Sequence, residues 1–89
     1  MATAIVRHRV NDFETWKSVF DDVEPWRREQ GMTSWALYTA ATDTNDVTAV
    51  LDFETLGQAQ AHFQDAELKA AMQKAGVVSK PEITFLVER

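Results

Sequence analysis

The stretch "AIVRHRVNDFETWKSVF", residues 4–20, contains the change of pattern that decides the fold. In its first half apolar and polar side chains alternate, which is typical of a β-strand with one buried face. Asp12 then stands where a helix N-cap is expected, and aromatic residues follow at helical spacing. The sequence therefore predicts a strand over 3–10 and then an amphipathic helix, which Pro25 should break late and Gly31 should close.

Alternation of apolar and polar residues predicts three further strands, at 33–41, 47–53 and 82–88. The polar residues 43–46, with the sequence DTND, are predicted to form the hairpin turn between the first two of these strands. The resulting order is β-α-β-β-α-β, which predicts a ferredoxin-like α+β fold. Its four-stranded antiparallel sheet should carry both helices on one face, and we expect residues 1–89 to form a single domain.

The second predicted helix begins after Thr55, a potential N-cap, and it carries two apolar stripes rather than one. The stripe within 56–66 lies roughly half a turn from the stripe within 68–75, at 100° per residue. One straight helix cannot bury both stripes. A break is therefore predicted near Asp65, which can cap the second piece, and Gly76 should end that piece.

Two helices can cover only one face of such a sheet, so the other face must meet solvent or a partner. That face is too apolar for an ordinary solvated surface, and we expect two copies to pack there, sheet against sheet, as a homodimer. The arginines of the face should then meet acids such as Asp52 or groups of the partner. A monomer with a partly apolar sheet is the alternative. The predicted open face comprises Ile5, Arg7, Arg9, Ala36, Tyr38, Thr48, Val50, Asp52, Thr84 and Leu86.

The composition excludes several classes of function. Acidic residues outnumber basic ones by 14 to 9, whereas a nucleic-acid-binding protein needs a positive face. The chain has no cysteine, which excludes disulfides, zinc–thiolate sites and iron–sulfur clusters. It shows no signal-peptide pattern, and no apolar run approaches the ~20 residues that span a bilayer. We therefore expect a soluble, cytoplasmic protein that binds neither nucleic acid nor membrane.

In its element order, in "VRHRVNDFETWK" (6–17) and in "LDFETLGQAQAHFQDAEL" (51–68), the chain resembles the dimeric α+β barrel superfamily. Within that superfamily it is similar to the antibiotic-biosynthesis-monooxygenase-like proteins. The resemblance implies a ligand cleft between the helices and the sheet of each subunit. It also implies a range of activities: cofactor-independent oxygenation of polycyclic aromatics, polyketide cyclisation, haem degradation, or no established activity.

Haem-degrading members have a histidine, a tryptophan and an asparagine at three positions of their site, and this chain matches one of the three. His62 matches the helix-two histidine that ligates iron in those enzymes. Phe53 stands where they have a tryptophan, and Asn11 follows the first strand, whereas their asparagine lies on it.

His8 and His62 are the candidate catalytic residues. A histidine can act as a general base near neutral pH, and a cofactor-free oxygenase or cyclase needs a base to form a phenolate or enolate. Alternation places His8 on the helix side of its strand, whereas His62 lies at the margin of its helix stripe. Each could instead be an ordinary histidine, buried in the core or half-exposed. The residues expected to bind substrate are Trp16, Phe20, Trp35, Phe53 and Phe63, although aromatics at helical spacing are usually core residues.

Three functions are consistent with these features. The first is a cofactor-independent monooxygenase or cyclase that acts on aromatic, polyketide-like substrates and needs neither a metal nor a cofactor. The second is a non-catalytic homodimer that binds a small apolar or aromatic ligand or has a structural role. The third is a haem-binding protein that uses His62.

Overall fold

The computed structural model describes all 89 residues. Four strands, β1 (Ala2–Arg9), β2 (Met32–Ala40), β3 (Asp43–Phe53) and β4 (Glu82–Val87), form one antiparallel sheet in the order β2-β3-β1-β4, and four helical segments connect them. The predicted ferredoxin-like α+β fold is therefore confirmed, with each predicted helix divided into two pieces. The helical segments are α1 (Phe13–Asp22) and α2 (Glu24–Glu29) between β1 and β2, and α3 (Leu56–Gln64) and α4 (Ala66–Lys74) between β3 and β4.

The first helical segment begins and ends at the residues that the sequence predicts. Asp12 caps α1, because its carboxylate accepts the backbone N–H of Thr15 at 3.0 Å. The helix breaks at Val23, slightly before Pro25, which lies in the first turn of α2 where a missing N–H is tolerated. Gly31 follows α2 with a φ of +105°, and a Cβ at this position would collide with the side chain of Gln58.

The second helical segment is broken at Asp65, as predicted. Thr55 and Gln58 form a capping box at the start of α3. Asp65 has an extended backbone, with a φ of −72° and a ψ of 130°, and its side chain accepts the N–H of Glu67 at 2.8 Å to cap α4. Gly76 follows α4 with a φ of +82°.

The prediction of a turn at 43–46 is wrong. These residues are the first four of β3, and the hairpin turn is the pair Ala41–Thr42 before them. Their polar side chains have partners that a short sequence window does not reveal. Asn45, for example, accepts the backbone N–H of Val10 with its carbonyl and that of Phe13 with its side chain, and so fixes the junction between β1 and α1.

All four helical segments pack on one face of the sheet, and the other face is open. The largest side chains of the open face remain accessible, with Tyr38 60% exposed and Leu86 44% exposed. No helix of the structure is both long enough and apolar enough to cross a membrane.

The arginines of the open face pair with acids, but not with Asp52. Arg7 meets Asp46 at 2.8 Å, and Arg9 meets Asp43 at 2.6 Å. The register of the sheet explains the difference, because the arginine end of β1 lies against the start of β3, whereas Asp52 lies near its end. Asp52 instead accepts hydrogen bonds from the hydroxyl groups of two neighbouring strands, those of Thr3 at 2.6 Å and Ser34 at 2.7 Å.

Candidate functional site

A cavity of about 50 Å³ lies between the sheet and the helices. Twelve of its fifteen lining residues are apolar, and the three exceptions are His8, Arg27 and His62. All three are buried, and each has at least one nitrogen atom without a hydrogen-bond partner in the protein. Because buried polar atoms are normally paired, this concentration of unpaired nitrogen atoms around one mostly apolar cavity makes it the candidate ligand site.

The structure brings five of the seven candidate site residues to this cavity. His8 lies on β1, Trp16 and Phe20 on α1, and His62 and Phe63 on α3. Each helix presents these residues because it buries the stripe that faces the sheet.

Trp35 and Phe53 do not line the cavity. Phe53 is fully buried behind the site, with its ring centroid 5.5 Å from that of His62. Trp35 packs edge-on against Phe20, and its indole N–H donates to Glu24 at 2.5 Å. Both residues therefore pack behind residues that line the cavity and would not contact a ligand bound inside it.

His62 is held by a chain of two hydrogen bonds. Gln30 donates from Nε2 to Asp65 at 3.1 Å, and its Oε1 lies 2.5 Å from Nδ1 of His62. Because an ionised carboxylate only accepts, the amide nitrogen of Gln30 must face Asp65 and its oxygen must face His62. Nδ1 of His62 therefore carries the proton and Nε2 carries the lone pair. Nε2 is buried and has no partner in the protein.

The surroundings of His62 keep its ring neutral. Burial and, to a smaller extent, the positive charge of Arg27 lower the pKa of His62 to about 4, although Asp65 acts in the opposite direction. At pH 7 the ring is thus uncharged, and its unpaired Nε2 is able to accept a proton from a bound molecule. The side chain is 1% exposed, so the alternative of a half-exposed surface histidine is excluded.

His8 lines the same cavity from the sheet side, on β1, whereas His62 lines it from the helix side. Its ring meets Trp16 edge to face, with 5.6 Å between centroids, as the predicted orientation toward the helices requires. Burial lowers its pKa, and neither of its nitrogen atoms has a partner. No hydrogen bond therefore selects which of its two nitrogen atoms carries the proton, in contrast to His62.

Arg27 is the member of the site that the sequence analysis missed. It lies on α2, is 2% exposed, and its guanidinium carbon is 3.7 Å from the ring centroid of Phe20. The spacing could have revealed it, because Arg27 follows Phe20 by seven residues, or about two helical turns. It thus continues the stripe of α1, but an arginine on a charged segment is normally placed on the solvent side.

A groove of about 430 Å³, lined half by apolar and half by other residues, lies outside the cavity, between α4 and β4. Phe63, Leu68 and Met72 line both the groove and the cavity, so these three side chains form the wall between them. Leu68 is buried, whereas the other two are half-buried. Movement of these side chains would join the groove to the cavity.

No protein-family model matches the chain, and a comparison with curated proteins gives no match. Solved structures do resemble it. A protein from Bordetella bronchiseptica assigned to the antibiotic biosynthesis monooxygenases has a TM-score of 0.81 at 16% identity, covering 99% of this chain and 96% of that one. SnoaB, a cofactor-independent oxygenase from Streptomyces nogalater, has a TM-score of 0.79 at 14% identity, with 99% and 92% covered.

A monooxygenase from Streptomyces coelicolor, in complex with the ligand nanaomycin D, has a TM-score of 0.69 at 23% identity, covering 99% of this chain and 87% of that one. At these identities the likeness concerns the fold. The chain has the ferredoxin-like α+β fold of the antibiotic-biosynthesis-monooxygenase-like structures, and the resemblance expected from the sequence is confirmed at that level.

Proposed function

We propose that the chain is a small-molecule enzyme of the cofactor-independent monooxygenase or cyclase type, with His62 as its general base. The observation that carries this proposal is the unpaired Nε2 of His62, which is buried in an apolar cavity while Asp65 and Gln30 fix the proton on Nδ1. The neighbouring folds support the choice of reaction class, since SnoaB is a cofactor-independent oxygenase.

The proposed first step is transfer of one proton. Nε2 of His62 removes an acidic O–H or C–H proton from an aromatic, polyketide-like substrate, which leaves a phenolate or enolate and an imidazolium. The imidazolium still donates from Nδ1 to Gln30, whose own N–H is held by the Asp65 carboxylate. This step is common to both reactions, because the anion can attack dioxygen as co-substrate in an oxygenase or an internal carbonyl in a cyclase.

The apolar walls of the cavity suit such an anion because they keep water, a competing proton donor, away from it. The cavity is nevertheless small, since ligand sites for drug-sized molecules measure roughly 300–1,000 Å³. A polycyclic substrate therefore requires movement of Phe63, Leu68 and Met72, after which cavity and groove together have the necessary size.

We also propose that the protein works as a homodimer through its open sheet face. Val50, Tyr38 and Leu86 leave apolar area on that face which no helix covers. The two arginines of the face are already paired within the chain, Arg7 with Asp46 and Arg9 with Asp43, so they do not oppose the burial of their neighbours as isolated charges would.

Oxidation of anthrone tests the enzymatic proposal, because its benzylic C–H is acidic and dioxygen converts it to anthraquinone and water. Dioxygen uptake and quinone absorbance should show turnover by the wild type, and His62→Gln should lower kcat by roughly 10²–10⁴-fold. Gln60→Ala, an exposed change on the same helix, is the matched control and should leave turnover unchanged.

Comparison with His8→Gln decides which histidine is the base. A loss confined to His8→Gln would move the base to His8, and full activity in both variants would contradict the proposal. Binding without turnover would favour the non-catalytic alternative. A Soret band that appears on haem titration and disappears in His62→Ala would favour the haem alternative.

A further inference from the structure

We propose that the ligand of the cavity is an aromatic or otherwise apolar carboxylic acid, and that its carboxylate binds the buried guanidinium of Arg27. This inference rests on the proposed function only in that the cavity must be a ligand site. It adds the chemical class of the molecule and the orientation in which the molecule is held.

Arg27 is a buried cation without an anionic partner. Its side chain is 2% exposed, and its Nε and Nη2 atoms have no hydrogen-bond partner. The face of Phe20, 3.7 Å from the guanidinium carbon, supplies one favourable contact but accepts none of these hydrogen bonds. An arginine in such a place remains charged at neutral pH, and burial of an unpaired charge costs free energy that a bound anion would recover.

The acidic residues near Arg27 are committed to other groups. Glu24 accepts from the indole of Trp35 with one carboxylate oxygen, and the other oxygen lies 3.7 Å from Arg28. Asp21 is bound to Lys17 through both carboxylate oxygens, at 2.7 Å each. The chain therefore provides no carboxylate that satisfies Arg27.

The two unpaired atoms are the ones that a carboxylate would use. Nε and Nη2 lie on the same edge of a guanidinium, and together they match the two oxygens of one carboxylate. The same chain shows this geometry on its open face, where Nε and Nη2 of Arg7 bind the two oxygens of Asp46 at 3.1 and 2.8 Å. Arg27 lines a cavity in which twelve of the fifteen lining residues are apolar, and this favours a molecule with one acidic group on an apolar body.

The groove next to the cavity carries positive charge, which is the sign that attracts a carboxylate. Lys69 and Lys80 are its only charged residues, although the chain as a whole carries a formal charge of −5. Both lysines are exposed. Local positive charge at the groove of an acidic protein attracts small anions and repels cations. It therefore raises the rate at which an organic acid reaches the groove.

A bound carboxylate would also change His62. Burial is the main cause that lowers the pKa of His62, and the positive charge of Arg27 is the second. Pairing of Arg27 with an anion offsets that charge at short range, so arrival of the ligand should remove this smaller contribution and raise the pKa of His62 in part. The ligand would thereby strengthen the base that acts on it.

Binding of 2-naphthoate and 2-naphthamide tests the inference, because the two molecules share a ring system and differ in charge. Tryptophan fluorescence and titration calorimetry at pH 7 should show that the wild type binds the naphthoate about tenfold more tightly, or better, as a paired carboxylate implies. Arg27→Met should bind both equally, and Arg27→Lys should show a smaller preference. Lys74→Met, which removes an exposed cation that lines neither the cavity nor the groove, is the control and should keep the full preference.

Two further measurements do not depend on the folding of Arg27→Met. Naphthoate should raise the melting temperature of the wild type more than naphthamide does. The pair Lys69→Gln and Lys80→Gln should slow the association of naphthoate and leave that of naphthamide unchanged.

Equal affinities in the wild type, or a preference that survives in Arg27→Met, would overturn the inference. Naphthamide binding without a preference for naphthoate would overturn the assignment of a carboxylic acid and leave the ligand site intact. Failure of both molecules to bind would also overturn the inference, and the proposed function would then be decided separately by the turnover of anthrone.

Discussion

At the scale of single residues, the site depends on which nitrogen of His62 carries the proton. Gln30→Leu removes the acceptor at Nδ1, so the proton should no longer be confined to that atom. We expect long-range ¹H–¹⁵N spectra at pH 7 to show one tautomer, with the proton on Nδ1, in the wild type and a mixture in the variant. Gln60→Leu, an exposed change on the same helix as His62, is the control. An unchanged tautomer in Gln30→Leu would mean that Gln30 does not position the ring.

The lowered pKa of His62 makes the stability of the fold depend on pH. Its value is about 4 in the folded protein, against 6.5 in an unfolded chain, so the unfolded state binds the proton more tightly. The stabilisation by neutral His62 is complete above pH 6.5 and is lost as the pH falls toward 4. Between pH 7 and pH 5 the free energy of unfolding should decrease by about 2 kcal/mol from this residue.

Urea denaturation at the two pH values measures this loss. His62→Gln, which cannot ionise, should lose less stability between pH 7 and pH 5 than the wild type does. His8→Gln is the companion variant, since burial lowers the pKa of His8 as well and its contribution has the same sign. A wild-type stability that is the same at both pH values would contradict the burial of neutral histidines.

At the scale of secondary-structure elements, Asp65 has two functions at the break between α3 and α4. It caps α4 through the N–H of Glu67, and it accepts the hydrogen bond of Gln30. Asp65→Ala should lower the free energy of unfolding by about 1–2 kcal/mol, the usual effect of removing an N-cap. Asp65→Asn keeps a capping oxygen and should lose less than half of that amount in urea denaturation. Equal stabilities of the two variants would show that the cap does not hold the break.

At the scale of the whole molecule, the open face should hold two copies together. Val50 lies at its centre, opposite Ile5 on one neighbouring strand and Ala36 on the other. Val50→Glu would place a charge in the middle of the proposed interface, so light scattering should show a dimer for the wild type and a monomer for the variant. Gln60→Glu adds the same charge on the helix side and should remain dimeric. A monomeric wild type at tens of micromolar concentration would contradict the dimer.

The parts of the fold that the sequence predicts are those that local signals specify. Asp12 and Thr55 cap helices with their own side chains, and the change of apolar stripe around Asp65 can be read within one segment. The start of β3 could not be read in this way. Its polar residues resemble a turn, and only their pairing with residues far along the chain makes them a strand.

The site, too, could be predicted only where a local sequence signal specifies it. Alternation along β1 is sufficient to direct His8 toward the helices. The state of His62, by contrast, depends on Gln30 and Asp65, which lie on different elements and meet only in the folded chain. The spacing of Arg27 from Phe20 places it on the buried stripe, but its residue type predicts a solvated side chain, and the folded structure shows that it is buried.

The position of Asp65 at a helix break couples the placement of α4 to the orientation of His62. Its backbone is the point about which α4 would swing, and α4 carries Leu68 and Met72, two of the three side chains that separate the cavity from the groove. Its carboxylate is also the group that orients Gln30, and through Gln30 the ring of His62. A swing that opens the passage by pulling Asp65 away from Gln30 would release that ring. For the proposed enzyme this means that His62 would be oriented as a base only after α4 has returned, so that removal of the proton and exclusion of bulk solvent would coincide.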